Sequence, residues 1–133
     1  MLNLLSAPTG VIRFPIDQNL QKGDVVQLLE NNGQISLSKS NGIAPLGILS
    51  KKVRVLNKKT RAVKRLVGEV VFCRCILQTD NYDAQQKYKL GDKLFINKDG
   101  KFTSDQPSSE YPYIGWVSAC PTVDNSFLQL MWL

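Results

Sequence analysis

The stretch GDKLFINKDGKFTS, Gly91–Ser104, reads as a strand, a tight turn and the opening of a second strand. Gly23–Ser38, GDVVQLLENNGQISLS, has nearly the same form 68 positions earlier. Gly23-Asp24 aligns with Gly91-Asp92, Asn32-Gly33 with Asp99-Gly100, and PLGILS (Pro45–Ser50) with YIGWVS (Tyr113–Ser118). The offsets are 68, 67 and 68, so one residue is lost and regained, as a bulge or a changed turn would do. Asn-Gly and Asp-Gly between apolar runs are hairpin signals, because both positions tolerate a positive φ. Gly47 and Gly115 lie inside apolar runs, where glycine marks a bulge or a close backbone approach.

Working outward, the chain divides into short runs separated by turn residues. Strands are expected at 11–14, 25–30, 34–38, 46–56, 61–67, 69–77, 93–97, 101–103, 113–119 and 126–133, with the fifth and sixth parted at Gly68. Only NYDAQQKYKL, 81–90, allows a turn or two of helix. The pattern predicts an all-β fold, a compact β-barrel or sandwich built from two similar halves. Residues 1–21 form an extended N-terminal arm, and 22–133 a single β domain carrying the pseudo-repeat 23–50 and 91–118.

A chain of 133 residues suits one domain. With 43% apolar and 21% charged residues it has the make-up of a soluble globular protein. No apolar run reaches the length of a membrane span. Met1–Leu5 lacks the basic leader of a secretory signal, so the chain is expected to keep its N-terminus and to be made in the cytoplasm.

Three cysteines, Cys73, Cys75 and Cys120, make an odd count and are expected as buried free thiols. Cys73 and Cys75, two apart on a strand, share a face. There is no histidine, which removes Ser-His-Asp and Cys-His catalysis and thins any metal site. Asp24, Asp92 and Asp99 belong to turn motifs. No GxxxxGK or GxGxxG loop occurs. The expectation is a non-enzyme without cofactor or metal.

Charge is uneven. Between Glu30 and Glu69 there is no acidic residue, while Lys39, Lys51, Lys52, Arg54, Lys58, Lys59, Arg61, Lys64 and Arg65 supply nine positive charges. The run KKVRVLNKKTRAVKRLV predicts a β-hairpin with a basic tip at Asn57–Thr60. Such a surface meets an acidic protein face or nucleic-acid phosphates, or keeps an edge hairpin unpaired. From Lys39 to Val71 no aromatic residue is interleaved with the charge, so stacking of single-stranded bases has no platform there. In the arm, Leu2, Leu4, Leu5, Val11, Ile12 and Phe14 are too apolar for a free tail. They cover the domain itself or pack on a neighbour.

The order KGDVV (Lys22–Val26), LGI (Leu46–Ile48), VGEV (Val67–Val70), LGDKLF (Leu90–Phe95), KDGKF (Lys98–Phe102), IGWV (Ile114–Val117) and a closing FLQLMWL resembles the head decoration, or cement, proteins of tailed bacteriophages. The long basic hairpin and the Cys-rich strand depart from that pattern. The resemblance implies a virion structural protein, trimeric, that binds the major capsid protein on the capsid exterior and reinforces the shell. The arm and the basic hairpin (Lys51, Lys52, Arg54, Lys58, Lys59, Arg61, Lys64 and Arg65) would supply the contacts, with no membrane involved. Two alternatives stand beside it: a small β-barrel that binds nucleic acid through 51–65, and a phage tail or baseplate structural protein.

Overall fold

The computed structural model describes residues 2–6, 8, 10–16, 19–72 and 74–133, with Val63 and Lys64 as backbone alone; Met1, Ala7, Thr9, Asp17, Gln18 and Cys73 lie outside the described residues. The strands are β1 (Leu2–Leu4), β2 (Gly10–Pro15), β3 (Val25–Asn31), β4 (Gln34–Lys39), β5 (Gly47–Leu56) and β6 (Val63–Phe72). They continue with β7 (Cys75–Thr79), β8 (Lys93–Ile96), β9 (Phe102–Thr103), β10 (Gly115–Ala119) and β11 (Leu128–Trp132). Among the described residues there is no helix. Residues 81–90 hold turns and one bridge, with the Asp83 carboxylate accepting from the Gln85 N–H, a local bond that competes with helix.

Two sheets form a sandwich-like fold. One runs β2-β6-β5-β3-β4, the other β1-β7-β11-β10-β8-β9. Apart from β1, the second order is the first with every strand advanced by five. The repeat therefore reaches beyond 23–50 and 91–118: residues 10–72 make one five-stranded unit and 75–132 another.

Register bears this out pair by pair. Val25↔Ile48 and Val26↔Gly47 in the first unit match Lys93↔Trp116 and Leu94↔Gly115 in the second. The Gly23 and Gly91 N–H groups donate to Leu49 O and Val117 O, at 2.8 and 2.9 Å. The Asp24 and Asp92 carboxylates each accept from the N–H three residues before, in Gln21 and Lys89, both at 2.9 Å. Both β5 and β10 carry a bulge at the same point, Ser50 and Ser118. The uneven offset also has a cause. The first hairpin turns through Asn32 and Gly33, both at positive φ, whereas in the second the pairing ends two residues sooner, at Asn97 and Lys101, and a longer turn, Lys98–Gly100, follows.

Each sheet curls until its outermost repeat strands touch, through parallel bridges Ile16↔Leu37 and Tyr82↔Phe102. A single bridge does not close a barrel, so of the two architectures expected the sandwich is the one formed. Within the first curl lie Val26, Leu37, Leu49 and Val70, with Ile12, Phe14 and Ile16 against them. Their counterparts Leu94, Phe102, Val117, Leu130 and Leu77 fill the second. The outer face of the first sheet adds Val25, Ile48 and Val71 to that second cluster, which joins the units.

The expected strand break at Gly68 is not there. Gly68 lies inside β6, opposite Phe14 and Lys52, and a Cβ on it would meet Ile16, Leu49 and Leu37 at about 3 Å or less. Glycine is required by packing within the curl, not by a turn. The chain turns instead between the units, at Arg74 (φ 46).

Candidate interaction surfaces

The N-terminal segment is built into both sheets. β1 pairs with β7 of the second unit, and β2 pairs with β6 of the first. The Leu5 N–H donates to Ile76 O at 2.8 Å, and the Ser6 hydroxyl accepts from the Ile76 N–H at 2.8 Å. Leu2 is 3% exposed and belongs to the main core; Ile12 and Phe14 pack inside the first curl. Among its described residues Leu4, Leu5 and Val11, at 42%, 49% and 49% exposure, present apolar surface outward. The segment therefore straps one unit to the other, which sequence could not show because both pairings span more than fifty residues.

The basic hairpin forms as read. β5 and β6 run ten residues each, and the tip is ordered by Asn57, whose side-chain oxygen accepts from the Lys59 and Thr60 N–H groups at 2.9 and 3.2 Å. Arg61 completes the turn at φ 62. Strand alternation divides the charge. Lys52 and Arg54 lie opposite Gly68 and Leu66 on one face, while Arg65 lies opposite Val55 on the other. Lys58, Lys59 and Arg61 sit at the tip, and Lys64 has no described side chain. Among the described residues Glu69 answers two cations, Arg13 at 2.9 Å and Lys51 at 3.8 Å. Lys52, Arg54, Lys58, Lys59, Arg61 and Arg65 are exposed and, among the described residues, form no ion pair.

Beside the hairpin runs a shallow groove of about 220 Å³, floored by Phe14, Pro15, Val53, Val55 and Val67 and flanked by Arg13 and Arg65. Pro15 and Arg65 also border a depression that reaches the β3–β4 turn at Asn31, Asn32 and Ile35. An apolar floor with guanidinium walls can seat an acidic protein segment and hold its carboxylates by charge-assisted bonds.

Sequence reasoning missed a second surface. On the outer face of the second sheet Ile76, Met131, Trp116 and Lys93 stand in one row across four strands. Tyr113 lies 6.1 Å from Trp116, and Lys93 Nζ is 4.9 Å from the Tyr113 ring centre. The signal was available in the alternation of β10 and β11, once each strand's core side was known. Of the thiols, Cys75 is buried and Cys120 half-buried, its sulfur 3.1 Å from Tyr88 O; Cys73 lies outside the described residues.

No family model matches the chain, and no curated protein matches it. Among solved structures it is similar to the head fibre gp8.5 N base of bacteriophage phi29. The TM-score is 0.51 at 16% identity, covering 100% of this chain and 95% of that one. The likeness is one of fold. It embraces both units and the strap, since nothing in either chain of any size is left over.

Proposed function

We propose that this chain is a structural protein of a bacteriophage virion, without catalytic activity, that attaches to the outside of the head, binds the major capsid protein and reinforces the shell. The observation that carries the reading is the shared fold with a phage head-fibre base over practically the whole of both chains. The order of short motifs from Lys22 to Leu133 supports it independently. The capsid contact is assigned to the basic hairpin and its groove. Exposed cations with no carboxylate partner among the described residues steer an acidic surface inward, and the Val53–Val55–Val67 floor supplies the apolar part. Repetition over a symmetric lattice lets each contact be weak while the whole layer holds.

The test is co-sedimentation with undecorated heads at rising salt, using the protein and a Lys58→Glu, Lys59→Glu, Arg61→Glu variant. Capsid attachment persists at moderate salt, and the variant attaches more slowly. Binding to six phosphates would instead lose about a thousandfold in affinity between 50 and 200 mM salt. Tight DNA binding at physiological salt, with no attachment to heads, would replace this reading with the nucleic-acid one.

A further inference from the structure

The junction between the two units shows how a unit of this fold is covered. Val25, Ile48 and Val71 stand in register on the outer face of the first sheet and are buried at 0%, 1% and 3% exposure. They are buried because they join the core of the second unit. The same three positions of the second unit are Lys93, Trp116 and Met131, and they stay at the surface: Lys93 and Met131 are exposed and Trp116 is half-buried. The receiving side shows the reverse imbalance. Ile96, on the inner face of the second unit, is 0% exposed, whereas its counterpart in the first unit, Leu28, is 45% exposed. On that side Val26, Leu37, Leu49 and Val70 are closed over by their own unit, so what stays open is the edge at Leu28 and Ile35, at 45% and 49% exposure. One junction formed inside the chain thus leaves an uncovered row at one end and an uncovered edge at the other.

We propose that copies of this chain join head to tail. The Trp116–Met131 row of one copy packs on the Leu28 side of the first unit of the next, as the first unit packs on the second within each chain. The occupant is a second copy because the required surface is one this fold already supplies once per chain. Where the internal junction uses Val and Ile, the open row carries Trp, Met and the stacked Tyr113, the side chains enriched where interfaces are anchored. Such a contact is heterologous: the two surfaces differ, so it closes into a ring or runs on as a chain of subunits. The inference stands apart from capsid attachment, and its test uses the isolated protein.

Analytical ultracentrifugation of the full chain will give masses that are multiples of 14.9 kDa and rise with concentration. Trp116→Ser, Met131→Lys and Leu28→Glu each weaken association by about 30-fold or more. Met131 and Leu28 are exposed, so those two variants retain the wild-type circular dichroism and melting profile. Mixing Met131→Lys with Leu28→Glu decides the geometry. The first keeps an intact receiving side and the second an intact row, so together they form a one-to-one pair that grows no further. A protein that stays at 14.9 kDa up to about 1 mM overturns the proposal. So does a mixture in which no pair forms, or an oligomer that survives both substitutions.

Discussion

Gly115→Ala is the sharpest test of how the repeat is built. A Cβ at this position would run into the Met131 carbonyl oxygen, and at Gly47 it would meet the equivalent Val71 carbonyl. Both obstacles are backbone, held in the middle of a ladder, and cannot rotate aside as a side chain would. In an ordinary strand alanine is better than glycine by roughly 0.5–1 kcal/mol, because it loses less freedom on folding. Here the sign reverses. β10 lies between β8 and β11, so moving it away from Met131 loosens two ladders at once. Overpacking of a fixed neighbour costs about 1–3 kcal/mol, and the upper end applies where the neighbour is backbone. Equilibrium unfolding in urea, with a slope near 2 kcal/mol per molar, then shows a midpoint lower by about 1.5 M. Gly33→Ala is the control: it has a positive φ but open space around it, and costs roughly 1–2 kcal/mol from backbone strain alone. A Gly115→Ala protein no less stable than Gly33→Ala would refute the close-approach argument.

Leu2→Ala lowers stability by about 2–5 kcal/mol, since it empties a core position, while Leu4→Ala, two residues on, changes it little; thermal melting separates the two. By the same reasoning deletion of 1–14 removes β1 and β2 and costs folding itself, so loss of partner binding in that truncation would not identify an arm contact. Burial, then the charge of Asp83, then Tyr82 raise the Tyr88 phenol above its ordinary pKa of 10.0. The folded chain holds that proton longer than the unfolded one, so the contribution is complete below about pH 10 and is lost as pH climbs through the higher, folded value. Tyr88→Phe flattens this alkaline loss and costs about 1 kcal/mol at neutral pH for the bonds to Asp83 O and Phe102 O, read from urea midpoints across pH.

Local chemistry was legible in the sequence wherever the cause was local. Asn32-Gly33 and Asp99-Gly100 announced hairpins because so few residues accept positive φ. Alternating apolar runs gave the strands, and Gly47 and Gly115 gave the close approaches. The basic hairpin was equally plain, for charge needs no partner to be counted. What sequence left unreadable depended on residues far apart in the chain. Gly68 looked like a break because its reason, the side chains of Ile16, Leu37 and Leu49, comes from distant parts of the chain. The arm lacked a local hairpin partner and so read as a cover for the domain or a contact to a neighbour, yet β7 and β6 take it up across the fold as strands. The full repeat, 10–72 against 75–132, stayed hidden because its equivalence lies in hydrogen-bond register; Val25 and Lys93, or Ile48 and Trp116, are unlike in chemistry. Tertiary structure alone decided which face of each strand was covered. That is why the row through Trp116 and Met131, apolar like any core stripe in the sequence, is surface in the folded chain.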